Sequence, residues 1–191
     1  MPDRRVVPPV LGTALLIAAA LVLVLASRNR ELSSDYRKLR ELATLPHSGT
    51  VVPTFRAVTL AGRPVVVGET TDSAARQVLF IFNTRCPFCL ATIPSWKKLA
   101  DSLGRLGDVQ VLSISLDSVD STQHYTTDHT LPYPVLRFPQ PKLKRLYRVV
   151  AVPQTIVLDW SGTVVYARTG MLDPESLDSV YAAATARAAR Q

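Results

Sequence analysis

Apolar and polar positions are distributed unevenly along the chain, and the first stretch is apolar throughout. Residues Val6 to Ala26 (VVPPVLGTALLIAAALVLVLA) carry no charge over 21 positions, against the roughly 20 that a helix needs to cross a bilayer. Pro8 and Pro9 suit a helix start, where a missing N–H costs little. A transmembrane anchor is therefore expected over residues 10–26, after a short cytoplasmic segment 1–9. Val24-Leu25-Ala26 before Ser27 would also suit cleavage of a signal peptide. The run exceeds the roughly 7 to 15 residues of a signal h-region, which favours an uncleaved anchor. Next, Leu32, Tyr36, Leu39 and Leu42 recur at helical spacing among charges. This predicts an amphipathic stalk helix over 27–45, which Pro46-His47-Ser48-Gly49 ends.

From there strand and helix periods alternate. Thr54 to Val67 (TFRAVTLAGRPVVV) reads as two short strands about Ala61-Gly62, with Pro64 suited to an edge. Gln77 to Asn83 (QVLFIFN) and Val109 to Leu116 (VQVLSISL) are continuous apolar runs, the mark of strands buried on both faces. Between them Pro87 to Leu106 predicts a helix kinked at Pro94. Asp117 to Asp128 reads as helical, Pro132 and Pro134 frame a short extended piece, and Pro141 to Tyr147 is a short helix. Gln154–Asp159 and Thr163–Arg168 form a hairpin around Trp160-Ser161-Gly162. The last helix has Asp173 as N-cap and Pro174 at its first position. The order ββ, β, α, β, α, α, ββ, α predicts one α/β domain, residues 46–191, with a single central sheet.

Charge adds little to this picture. The formal net charge is +7, but the anchor flanks hold much of it, and residues 46–191 carry 15 basic against 11 acidic side chains. Arg4 and Arg5 precede the apolar run while Arg28, Arg30, Arg37, Lys38 and Arg40 follow it, so loop charge does not fix the orientation. The basic run Lys142, Lys144, Arg145 and Arg148 lacks aromatic interleaving and reads as a solvated helix face, so no nucleic-acid partner is expected.

Both cysteines lie in NTRCPFCLATIP, where a strand runs into a helix. With Cys86 at the helix start, unpaired backbone N–H groups and the positive dipole end would face its sulfur and favour the thiolate nucleophile. Cys89, one turn on, would be the more buried, resolving thiol. Pro87 suits the first helical position, Phe88 offers an apolar contact and Arg85 a positive charge, so these three are expected to tune the site. A structural disulfide across two residues closes too small a loop to constrain the unfolded chain. A zinc site would need about four ligands, and only His47, His124 and His129 could join the pair, from segments without a metal-like pattern. Dithiol exchange, with the Cys86–Cys89 disulfide as the redox group and no metal or other cofactor, is the expectation. A persistent redox pair behind an N-terminal apolar helix favours an exported domain.

A second motif, AVPQT at Ala151–Thr155, follows about 65 residues later, just before a strand. Together with the Cys-Pro-Phe-Cys pair it makes the segment Val51–Gly170 resemble the thioredoxin superfamily, specifically its membrane-anchored extracytoplasmic TlpA/ResA-like branch. The resemblance implies a thioredoxin-like fold with a central mixed sheet flanked by helices. It implies that Pro153 is a cis-proline opposite the dithiol, leaving the Val152 backbone to pair with an extended substrate segment. It further implies a single-pass protein of the bacterial cytoplasmic membrane, held in the bilayer by residues 10–26 with its catalytic domain on the periplasmic or extracellular side. That domain would exchange disulfides with exported proteins as a reductant, apocytochromes c among them, and draw on a membrane electron donor.

The chain departs from those relatives at three positions. They usually have Trp where this sequence has Arg85; cytosolic thioredoxins have a buried aspartate at the position of Phe80; several extracytoplasmic reductants have a glutamate at that of Thr92. Since those acids help move the proton of the buried thiol, the direction and rate of exchange stay open. A disulfide-donating oxidase, a thiol peroxidase and a copper-binding module are the rival expectations.

Overall fold

The computed structural model describes the backbone of residues 9–70 and 75–186, and the side chains of 12–36, 45–70 and 75–186. The expected cytoplasmic segment 1–9 thus lies outside the described residues but for Pro9, as do the Leu39 and Leu42 side chains. The chain divides into two units, Met1–Ala43 and Thr44–Gln191.

In the first unit, the segments expected as anchor and stalk fall in one helix, α1 (Pro9–Thr44), with no break between them. Its stretch Gly12–Tyr36 is long and apolar enough to cross a membrane. At about 1.5 Å per residue, 25 residues reach beyond the roughly 30 Å of a bilayer's hydrocarbon. Leu15, Leu16, Leu23 and Leu25 are exposed along it, as side chains that face lipid would be.

The second unit is built on a five-stranded sheet. Its strands are β3 (Arg76–Phe82), β4 (Val109–Ser115), β5 (Val135–Arg137), β6 (Gln154–Leu158) and β7 (Val164–Thr169). They lie in the order β5-β4-β3-β6-β7. The pairs β3–β4 and β4–β5 are parallel, joined by α2 (Pro87–Gly104) and α3 (Val119–Asp128). The pairs β3–β6 and β6–β7 are antiparallel, which makes the sheet mixed as expected. A short helix, α4 (Pro141–Leu146), precedes β6, and α5 (Pro174–Thr185) closes the domain.

Central strand β3 accounts for most of the core, because its alternating side chains feed both faces. Val78, Phe80 and Phe82 pack with Trp96, Leu99 and Leu103 of α2, with Cys89, and with Val180 and Ala184 of α5. Leu79 and Ile81 pack on the other face with Leu112, Ile114, Leu136 and Tyr147. The continuous apolar run is thus a strand buried on both sides.

Two expectations need correcting. The sheet is not single: β1 (Phe55–Val58) and β2 (Pro64–Val67) form a separate two-stranded hairpin. Its turn is held beside β5 by Leu60 N–H donating to the Val135 carbonyl at 2.8 Å. Helix α3 starts at Val119 rather than Asp117, since Ser118 is the N-cap and accepts from Ser121 N at 3.2 Å. Helix α2 runs through Pro94 as expected and ends at Gly104, the proline removing one donor without ending the helix. Asp173 caps α5 as expected, accepting from Ser176 N at 2.7 Å.

Candidate active site

Strands β3 and β4 run parallel and in register to their ends, with Phe82 opposite Ser115. The residues that follow each strand therefore emerge at one edge of the sheet. After β3 the chain turns through Asn83, Thr84 and Arg85 into α2; after β4 it turns through Leu116 and Asp117 into α3. Asp117 spans the two turns. Its Oδ1 accepts from Asn83 Nδ2 at 2.8 Å and its Oδ2 from the Thr84 N–H at 2.6 Å. Asn83 completes the brace: its Oδ1 accepts from Arg85 N at 2.9 Å and its carbonyl from Cys86 N at 3.2 Å.

So held, Cys86 is the N-cap of α2, with Pro87 in the first turn, where its missing N–H costs nothing. The Cys89 backbone N–H donates to Cys86 Sγ at 3.4 Å. An amide of the first turn thus supplies a donor to this sulfur, as an N-cap side chain requires. The Cys86 thiol in turn points to the Val152 carbonyl at 3.6 Å. The Val152–Pro153 peptide is cis and Pro153 is buried. Gly170 N donates to the Pro153 carbonyl at 2.8 Å, tying this loop to the end of β7. Trp96 Nε1 donates to Thr155 Oγ1 at 3.0 Å, which pins α2 against β6, the strand that follows the proline.

Of the residues singled out in the sequence, Cys86, Cys89, Val152 and Pro153 come together. The two cysteines are in the dithiol form, Cys86 half-buried and Cys89 fully buried. Phe88 is 59 % exposed and Pro87 is exposed beside it, an apolar rim around the half-buried sulfur. Arg85 is exposed as well, and what it gives the loop is its backbone N–H. Phe80 and Thr92, where relatives carry acids, are both buried: Phe80 stacks on Trp96 with ring centroids 4.9 Å apart, and Thr92 Oγ1 donates to the Phe88 carbonyl.

The two thiols differ in environment. Burial pushes the Cys89 thiol up to about 12. The charges of Cys86 and Asp117 act in the same direction, while a backbone hydrogen bond from Asn83 opposes them. A thiol whose proton is held more tightly in the folded than in the unfolded chain makes stability fall as pH rises between the two values. The dithiol protein is therefore expected to lose stability relative to the disulfide protein from about pH 9 upward, by at most about 1.4 kcal/mol per pH unit. Urea midpoints of both forms between pH 8 and 11 measure this. Parallel curves would mean that the fold does not hold the Cys89 proton.

Sequence reasoning missed Asp117 and Asn83. The signal was there in principle, since each follows the end of a buried strand, but their meeting depends on the β3–β4 register.

The sequence profile of the AhpC/TSA family matches residues 48–167, which include the dithiol and the cis-proline loop. The methylamine utilization protein MauD of Methylophilus methylotrophus is 25% identical over 120 residues, 63% of this chain and 54% of that protein. The chain thus spans about half the length of that relative. Among solved structures, a thiol:disulfide interchange protein of the thioredoxin family from Chlorobium tepidum superposes with a TM-score of 0.60 at 21% identity, over 72% of this chain and 97% of that one. A secreted Mycobacterium tuberculosis disulfide oxidoreductase homologous to E. coli DsbE gives 0.55 at 23% identity, over 68% and 95%. At such identities the likeness establishes the thioredoxin-like fold.

Proposed function

Since the chain belongs to the AhpC/TSA family, we propose that it is a membrane-tethered thiol-disulfide oxidoreductase that reduces disulfides of exported proteins. The observation that carries this reading is Cys86 at the N-cap of α2, its sulfur between the Cys89 amide and the Val152 carbonyl. Similarity in fold to disulfide oxidoreductases and interchange proteins supports it. The apolar helix supports the tether, with residues 10–26 in the cytoplasmic membrane and the catalytic domain outside.

In this reading the Cys86 thiolate attacks a substrate disulfide. One Cys86–substrate S–S bond forms, the substrate S–S bond breaks, and the first substrate sulfur leaves and takes up a proton. Cys89 then gives up its proton and attacks Cys86 Sγ. The Cys86–Cys89 disulfide forms, the mixed disulfide breaks, and the second substrate sulfur leaves as a thiol. Two electrons have passed to the substrate, and a membrane dithiol donor returns them. No other cofactor enters. Val152 and Pro153 would hold an extended substrate segment beside Cys86 by strand addition.

Replacing Cys89 with Ser stops the sequence at the mixed disulfide. In membranes of cells expressing Cys89→Ser, exported proteins, apocytochromes c included, are expected as adducts that a reductant releases and that Cys86→Ser abolishes. Absence of any such adduct would refute the proposal. Reduction by this protein also requires a potential nearer the about −270 mV of thioredoxin than the about −120 mV of a disulfide donor; a value at the oxidising end would reverse the direction of flow.

A further inference from the structure

Asp117 lies outside the cysteines' helix, yet it is bonded into the turn that presents them. It is half-buried between β4 and α3, and both of its carboxylate oxygens are spent across the gap. Oδ1 accepts from Asn83 Nδ2 at 2.8 Å and Oδ2 from the Thr84 N–H at 2.6 Å. Among the described residues no Lys or Arg forms an ion pair with it. Its charge therefore serves these two hydrogen bonds, which an ionised acceptor makes about twice as strong as neutral ones.

Asn83 passes this anchoring on to the dithiol. Its carbonyl accepts from Cys86 N at 3.2 Å and its Oδ1 from Arg85 N at 2.9 Å, which fixes Cys86 as the N-cap of α2. Its backbone also hydrogen-bonds the Cys89 sulfur and favours the charged form there. One residue's backbone thus joins both cysteines, and Asp117 holds that residue. Cys89 depends on it more. It is 0 % exposed, so solvent does not reach its sulfur when resolution puts charge on it. The Cys86 sulfur instead takes its donor from within α2, the Cys89 N–H at 3.4 Å. The Asp117 charge by itself opposes a charged Cys89, so the clamp and the charge act with opposite signs. Experiment can separate them.

We propose that Asp117 is a positioning residue for resolution: by clamping Asn83 and Thr84 it keeps the Asn83 backbone on the Cys89 sulfur while that sulfur attacks Cys86. The inference rests on the reading of the protein as a disulfide oxidoreductase. Asp117 exchanges no proton with either sulfur. The Cys89 proton goes to solvent, the Cys86–Cys89 bond forms, and the bond from Cys86 to the substrate sulfur breaks with its electron pair leaving on that sulfur. The groups that titrate around Cys89 are Cys86, Asp117 and, from α3, Tyr125, while β3 packs Phe80 and Phe82 in the same cluster and α5 packs Val180 and Ala184.

The test uses the full-length dithiol protein in detergent with 5,5′-dithiobis(2-nitrobenzoate), an aromatic disulfide, across neutral pH. Attack by Cys86 releases one thionitrobenzoate in a phase that scales with reagent. Resolution by Cys89 releases the second in a phase that does not. Asp117→Asn keeps the shape, removes the charge and turns one acceptor of the clamp into a donor. It is expected to leave the first phase within about threefold and to slow the second about tenfold, as loss of a hydrogen bond to a charged group does. The pH profile of the second phase should move by about one pH unit to the alkaline side. A residue acting through its charge alone would move that profile the other way and speed the phase, and a purely structural one would leave it in place. Asn83→Ala keeps the backbone donor but frees it from the clamp, so it should slow the second phase likewise, and the double variant should stay within about twofold of the slower single one. Asp120→Asn, which removes an equal charge from the exposed first turn of α3, should leave both phases unchanged. A second phase in Asp117→Asn as fast as the parent's or faster, a slowing without movement of the pH profile, or additive slowing in the double variant would each overturn the inference. Should Asp117→Asn not fold, Asn83→Ala decides, and resolution at the parent rate overturns the inference. Loss of folding in both variants would overturn it too, since the clamp would then hold the domain rather than the sulfur. Failure of the parent protein to release a second thionitrobenzoate would instead defeat the oxidoreductase reading.

Discussion

Replacing Phe80 with Asp, which restores the acid that cytosolic thioredoxins carry at this position, is expected to cost about 4 kcal/mol of stability or more. Phe80 is fully buried in the central strand, stacked on Trp96 and meeting the Tyr133 ring edge-on at 5.2 Å. Truncating a buried Phe costs about 3–5 kcal/mol through lost transfer energy and the cavity left behind. The ring pairs add about 0.5–1.5 kcal/mol beyond their area. The new carboxylate must either stay charged without a partner or take a proton, and both are penalties. For a domain of this size the loss corresponds to a melting temperature lower by roughly 10 °C or more. Phe80→Leu, which keeps most of the volume, should lose less than half as much. A chemical denaturation series on the parent and both variants decides it. A Phe80→Asp protein as stable as the parent would mean that the aromatic stack does not exclude an acid, and that its absence here has another cause.

That stack also shows where sequence reasoning stopped. Phe80 was legible as a core residue, since its strand has an unbroken apolar run. Its ring partners, Trp96 from α2 and Tyr133 from the segment before β5, come from distant parts of the chain, and no local period announces them. The features that local rules govern were readable: the apolar N-terminal helix, the strand-to-helix turn at Cys86, and the Asp173-Pro174 cap. The failures share one physical cause. Asp117 reads from the sequence as the first residue of α3, whereas Ser118 takes the cap and leaves Asp117 to hold Asn83 and Thr84. The expected single sheet fails at β1 and β2, because strand periodicity does not say which neighbour a strand pairs with.

The same contrast between a local feature and its buried surroundings gives the largest kinetic difference expected of this protein, that between its two thiols. Cys86 occupies the mouth of the site, half-buried, with an amide donor on its sulfur. Cys89 lies one turn deeper without exposed surface, its thiol pushed up to about 12. At pH 8 about one Cys89 in 10⁴ would be ionised, against about one in ten for a cysteine at the ordinary value of 9.0. Only the thiolate reacts with an alkylating agent, so this alone slows Cys89 by about 10³, before its burial is counted. Cys86→Ser removes the Cys86 influences on Cys89 but leaves burial, the largest, and the Asp117 charge. Iodoacetamide should therefore modify Cys89 in Cys86→Ser at least about 10²-fold more slowly than Cys86 in Cys89→Ser. In urea the two rates should converge, because the unfolded chain keeps neither the helix end nor the core. Equal rates in the folded proteins would remove the division of labour between attacking and resolving sulfur on which the proposed exchange depends.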